Sequence, residues 1–270
     1  MFNTKPSSTP IESLEPRRYA SQTPYLDDGG TLVVTGTRRN EAITVDTDGA
    51  GRITAVVRVG RKVMAAARFK PSQVKALAID GAAGRDTITV RAEGIGESVI
   101  HGGGGNDLVF AVGSNLKIHG DAGDDRVTAE ASINAETNFL FGGAGRDRLT
   151  AGAGSFELDG GDGNDILFHA GWAPAFDTPV RSDRKGLLIE TVLHAFRTED
   201  GEATLRGGAG NDLIYAASND GVWGGSGRDH LLFDMTTPGK KKPLATYDPQ
   251  NVLVERMGAY EIEVTQITVR

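Results

Sequence analysis

One eight-residue phrase recurs seven times and decides most of what this chain can fold into: glycine, usually glycine again, a small residue, glycine, any residue, aspartate, any residue, aliphatic. Its clearest copy is Gly102-Gly103-Gly104-Gly105-Asn106-Asp107-Leu108-Val109, and its siblings open at Gly81, Gly120, Gly142, Gly160, Gly207 and Gly224. The aspartates fall at Asp86, Asp107, Asp125, Asp147, Asp165, Asp212 and Asp229. Two residues after each stands an aliphatic: Ile88, Val109, Val127, Leu149, Leu167, Ile214 and Leu231. Two residues before each opening glycine stands another: Ile79, Ile100, Ile118, Leu140, Leu158, Leu205 and Val222. Self-similarity at a fixed short period is the mark of a solenoid, in which no unit buries its apolar stripe alone and stacking supplies the core.

The opening glycines lie 21 (81 to 102), 18 (102 to 120), 22 (120 to 142), 18 (142 to 160), 47 (160 to 207) and 17 (207 to 224) residues apart. A unit near 18 reads as loop, strand, second loop and returning strand, so longer spacings put extra residues at the other edge. The spacing of 47 places an insertion at residues 170–202, which contains Trp172, Pro174, Pro179 and the apolar run Leu187–Phe196. Its periodicity leaves a short helix and an added strand pair both open; the ordinary reading is a flexible loop, the alternative a partner-binding or active-site lid.

The repeat region spans residues 77–235, and the flanks differ from it. Residues 1–29 show no periodicity and read as a flexible leader. Residues 30–76 read as an N-terminal β cap. Thr31–Thr35 and the segment through Ile43 align with the Gly81 copy, but Glu41 stands in the aspartate place, as in a degenerate first coil that has lost its metal. Ile53–Val59 and Lys62–Phe69, turning at Gly60, then read as a capping hairpin, which protects the unpaired edge of a terminal coil. Residues 236–270 read as a C-terminal cap, with strands at Asn251–Glu255 and Tyr260–Val269 after the break at Lys240–Pro243.

Composition excludes several classes. There is no cysteine, hence no disulfide and no thiolate metal site. A net charge of −7 argues against nucleic acid as a partner. No run approaches the ~18 apolar residues of a membrane span, and the N-terminus lacks a signal-peptide apolar core. Glycine, at 37 residues, is about twice as frequent as usual, which suits tight turns between short strands.

Stacked coils would hold one aspartate above the next at about 4.8 Å. Bare carboxylates at that distance repel by roughly 1 kcal/mol per pair in water and several-fold more near a protein surface. Seven in file are tolerable if a cation lies between them. Carboxylate and loop carbonyl oxygens make an all-oxygen site, which favours Ca²⁺ over Mg²⁺ or Zn²⁺.

The phrase resembles the RTX, or haemolysin-type, calcium-binding nonapeptide repeat. The resemblance implies an all-β, right-handed parallel β-roll with Ca²⁺ held between the loops of neighbouring coils. The implied ligands are the seven aspartates, aided by loop backbone at Gly103, Gly105, Gly123, Gly143, Gly145, Gly161, Gly163, Gly208, Gly210, Gly225 and Gly227. The chain departs from the family in its period. Full motifs come about every eighteen residues rather than nine, and the intervening loops (Val112–Asn115, Gly152–Ser155, Ser218–Gly221) lack them, so calcium is expected along one edge. Ala82 and Asp121 replace the second glycine. Arg85, Arg146 and Arg228 take the fifth place, where they either weaken calcium binding or pair with the aspartate. Near the N-terminus, Ile11–Arg18 resembles the Leu-Glu-Pro-Arg segment of many large planctomycete surface proteins.

The expectation is an extracellular or cell-surface module stabilised by Ca²⁺, with a structural or adhesive role. Calcium is near millimolar outside cells and far scarcer inside, so folding would await export. Two alternatives remain. One is a metal-free β-helix whose Gly–Asp turns merely reverse the chain. The other is a carbohydrate-active enzyme, or a polysaccharide-binding surface, using the outward residues His101, His119, Phe141, Asp159, Arg206 and Trp223. His169, His194 and His230 show no spacing that suggests a triad or a zinc cluster.

Overall fold

The computed structural model describes residues 23–92, 94–131, 137–152, 154–169, 203–217 and 220–234, together with strands at Leu244–Ala245, Val252–Met257 and Ile262–Ile267. The leader segment Ile11–Arg18 and the insertion at 170–202, including His194, lie outside the described residues. What is described is almost entirely β: two long sheets wound as one solenoid, with a single 3-10 turn at Pro71–Gln73. The chain alternates between the sheets. Each coil contributes a strand such as Ser98–Gly104 to the first sheet, turns through the glycine loop, and contributes one such as Leu108–Gly113 to the second.

Neighbouring coils pair in parallel and in register. In the first sheet Ile79 aligns with Ile100, Ile100 with Ile118, then Leu140, Leu158, Leu205 and Val222. In the second, Ile88, Val109, Val127, Leu149, Leu167, Ile214 and Leu231 form the matching column. The two aliphatic columns face each other across the solenoid and are all at most 2% exposed. Full burial contributes about 1.5–3 kcal/mol for each such side chain, and only the stack makes it possible. The alternation of apolar and polar residues fixes the register, since a slip of one residue would turn every column outward.

Both ends depart from the parallel rule. Glu41–Thr47, Ile53–Val59 and Lys62–Phe69 form an antiparallel meander at one end of the second sheet. Val252–Met257 pairs antiparallel with Ile262–Ile267 at the other. The two capping runs near the N-terminus occupy the spans their patterning predicts. Phe156–Asp162 pairs directly with Ala203–Ala209, so the solenoid is continuous across the insertion.

Candidate metal centre

Each motif aspartate sits at the corner where the glycine loop enters the second-sheet strand. All seven are buried, although loops normally lie at the surface. They form a file. The backbone N–H of Asp86 donates to Asp107 Oδ1 at 2.7 Å, that of Asp107 to Asp125 at 2.7 Å, and that of Asp125 to Asp147 at 2.8 Å. The series continues from Asp147 to Asp165 at 2.8 Å, Asp165 to Asp212 at 2.8 Å and Asp212 to Asp229 at 3.1 Å. Glu41 joins at the head, its N–H donating to Asp86 Oδ1 at 2.6 Å.

One oxygen of each carboxylate is thereby used and the other is not. Oδ2 of Asp86, Asp107, Asp125, Asp147, Asp165, Asp212 and Asp229 is buried without a hydrogen-bond partner. A buried anionic oxygen left unpaired is costly, and native structures contain few of them. Each Oδ2 lies against the opening glycine of its own loop. A Cβ on Gly120 would stand 2.5 Å from Asp125 Oδ2 and 2.6 Å from the carbonyl oxygen of Gly142 in the next coil. Glycine is required there by close approach.

The electrostatics agree with the geometry. Burial, with neighbouring carboxylates adding to it, pushes Asp86, Asp125, Asp165 and Asp212 up to about 7, against the lowering effect of the N–H each accepts. Burial likewise raises Asp147 to about 6, and lifts Asp107 and Asp229 above the ordinary carboxylate range. A hard divalent cation answers this demand: the side-chain donors are all oxygen and one oxygen per rung is unpaired. The residues present fit Ca²⁺.

Glu41 differs in a way that explains the degenerate coil. Its longer side chain folds back on Thr37, accepting the Thr37 N–H at 3.2 Å and the Thr37 hydroxyl as well. Both of its oxygens are satisfied by the chain itself.

The loop glycines predicted to lend backbone (Gly103, Gly105, Gly123, Gly143, Gly145, Gly161, Gly163, Gly208, Gly210, Gly225 and Gly227) all have positive φ. Ala82 and Asp121 adopt the same left-handed conformation without being glycine, at φ 73° and 75°. Both irregular loops therefore keep the shape of their siblings.

The reading that fifth-place arginines pair with the motif aspartates is corrected for Arg146. Its guanidinium reaches Asp124, the fifth-place residue of the preceding coil, at 2.8 Å. Fifth-place side chains form a second, exposed file running the opposite way. Asn40 accepts the N–H of Arg85, Asn106 that of Asp124, Asp124 that of Arg146, Asn164 that of Asn211, and Asn211 that of Arg228. Arginine, a donor only, cannot play the accepting part.

The outward residues of the first sheet also come together. His101, His119, Phe141, Asp159, Arg206 and Trp223 occupy one register row. His101 stacks on His119 and His119 on Phe141, with centroids 4.5 and 4.6 Å apart. Arg206 lies over Trp223 and pairs with Glu157. Two relationships escape the sequence. Asp121 reaches back to His101. Buried His169 meets buried Asp220 at 2.9 Å across 51 residues, a separation that carries no local signal.

A family model of the RTX calcium-binding nonapeptide repeat matches the chain in four copies, at residues 94–115, 117–134, 132–167 and 198–231. A comparison with curated proteins finds no match.

Proposed function

The repeat region is an RTX-type parallel β-roll that carries calcium-binding repeats, and from this we propose that the chain is an extracellular module whose fold is completed by Ca²⁺. In this reading Asp86, Asp107, Asp125, Asp147, Asp165, Asp212 and Asp229 hold the ions through the oxygens that lack a protein partner. The loop backbone at the glycines named above assists. Bound Ca²⁺ would supply positive charge to a file of buried carboxylates. The chain's own part is to aim one oxygen of each aspartate at the preceding coil and leave the other free. The observation that carries the reading is the row of seven unpartnered Oδ2 atoms.

The division into a leader (1–29), an N-terminal cap (30–76), a calcium-binding roll (77–235) with its insertion (170–202) and a C-terminal cap (236–270) belongs to the same proposal. So does calcium along one edge only. No helix among the described residues is long and apolar enough to cross a membrane. In this reading the role is structural or adhesive and lies outside the cell, where the free ion is abundant enough to fill weak sites. The test is calorimetric titration of the intact, chelator-treated chain with Ca²⁺, followed by circular dichroism. Several ions per chain and gained strand signal are expected, and neither would appear if the turns were metal-free.

The stacked outer rings support a second reading, in which this face binds polysaccharide through the apolar faces of its sugars. Phe139 and Phe141 lie near-parallel, 6.4 Å apart, beside the stacked histidines. Loss of polysaccharide retention on Phe141→Ala, with calcium binding unchanged, is the expected outcome.

A further inference from the structure

The outward face of the first sheet gathers donor atoms of a different chemistry from the buried file. His101 and His119 are register partners on adjacent strands, their rings 4.5 Å apart and 7° from parallel. Asp121, two residues past His119, brings its carboxylate back across the strand, placing Oδ2 3.0 Å and Oδ1 3.2 Å from His101 Nδ1. One donor atom from each of the three residues lies within 4.8 Å of the other two. All three are half-buried.

Asp121 is also in an unusual place. It occupies the second position of its loop and aligns with Gly103 on one side and Gly143 on the other. There it holds φ 75°, a conformation that costs a non-glycine residue roughly 1–2 kcal/mol. Glycine would relieve that cost, and aspartate instead presents a carboxylate to the His101 imidazole.

We propose that His101, His119 and Asp121 form a half-buried, outward-facing binding site for a borderline transition-metal ion of the zinc class, separate from the calcium file. Imidazole nitrogen suits Zn²⁺, Ni²⁺ and Cu²⁺, whereas Ca²⁺ asks for six to eight oxygens. Two imidazoles and one carboxylate make a three-ligand set with one position left open. For bonds of about 2.0–2.1 Å in a tetrahedron, donor atoms stand about 3.3 Å apart. The pair His101–Asp121, at 3.0–3.2 Å, is close to that separation, and a donor atom of His119 lies within 4.8 Å of both. Because side chains alternate along a strand, this site opens to solvent on the face opposite the core.

The experiment is a titration of the full chain with Zn²⁺ in saturating Ca²⁺, repeated with Co²⁺ so that coordination is visible in its absorption bands. One further ion per chain is expected, with cobalt bands that indicate nitrogen ligation. His101→Ala and His119→Ala should each weaken Zn²⁺ binding by more than the roughly 10–100-fold that loss of a supporting partner costs, and leave calcium stoichiometry alone. Asp121→Gly guards against misfolding as an explanation. It removes a ligand while relaxing the backbone, so zinc affinity should fall while metal-free thermal stability holds or rises. Absence of zinc binding, or zinc binding indifferent to these three substitutions, overturns the proposal.

Discussion

Asp212 accepts the backbone N–H of Asp165 at 2.8 Å across 47 residues of sequence, a bond of the same length as that from Asp147 to Asp165 across 18. The file of aspartates therefore does not register the insertion. Phe156 and Ala203, Leu158 and Leu205, and Gly161 and Gly208 pair as any two consecutive coils do.

The insertion should accordingly be dispensable for the solenoid. Replacing residues 170–202 by a short linker with the sequence of Gly152–Ser155 should leave calcium stoichiometry unchanged. Shortening a loop recovers about 0.6 kcal/mol per halving of its length, and replacing 33 residues by four is about three halvings, so a gain of up to roughly 2 kcal/mol is expected. Calorimetric titration and thermal melts of the deletion variant check this. A lost calcium site would show that the inserted residues support the stack.

The metal-free protein should be stabilised by acid. The folded-state values of Asp86, Asp125, Asp165 and Asp212 lie at about 7 and that of Asp147 at about 6, above an unfolded carboxylate near 3.8. Between those limits the native state binds more protons than the unfolded state, so stability falls as pH rises. The contribution is fully present below the unfolded value and is lost through pH 6 to 7. Melting temperature in chelator should thus be higher at pH 5 than at pH 8, while excess Ca²⁺ flattens the profile. A chelated protein more stable at pH 8 than at pH 5 would contradict the burial of these groups.

The close approach at the opening glycine gives a paired test. A methyl at position 120 meets both Asp125 Oδ2 and the Gly142 carbonyl. Gly120→Ala should therefore destabilise the protein by about 1–3 kcal/mol, as overpacking does, and weaken calcium binding. Ala82→Gly has the opposite sign. It relieves a left-handed alanine at φ 73° and returns part of the gain as unfolded-chain entropy. A net stabilisation of a few tenths to about 1 kcal/mol is expected in denaturant titrations.

Much of this architecture is legible in the order of residues because the repeat places identical chemistry at identical backbone positions. The columns from Ile79 to Val222 and from Ile88 to Leu231 follow from spacing alone, since parallel coils in register can do nothing else with them. What each polar atom does is not legible. The sequence offers an aspartate with two equivalent oxygens, and only the fold decides that Oδ1 caps the preceding coil while Oδ2 stays free. Glu41 reads as a lost ligand, yet it is buried and holds the Thr37 N–H, so Glu41→Ala should destabilise the first coil. Arg146 reads as a neighbour of Asp147, but in-register stacking sets it beside Asp124, the residue in the same place of the preceding coil. Likewise Asp220 accepts from the Ala203 N–H and meets His169, tying together the two borders of the insertion from a loop that carries no motif.

The division of labour between the two carboxylate oxygens leads to a substitution whose effect should change sign with calcium. Asp125→Asn keeps an acceptor for the Asp107 N–H and removes the buried charge. In chelator at pH 8 the wild-type must hold that carboxylate ionised without a counter-ion, or protonate it, and both are costly. The asparagine variant should therefore melt at an equal or higher temperature under those conditions. In excess Ca²⁺ the order should reverse. Ligand binding at 100 times the dissociation constant stabilises by about 2.7 kcal/mol per site, and the variant forgoes that at each site it impairs. Asp125→Ala, which also orphans the Asp107 N–H, should be less stable than wild-type in both conditions. Melts of the three proteins with and without chelator check the crossing. Asparagine destabilising equally in both would mean that Oδ2 serves the fold rather than an ion.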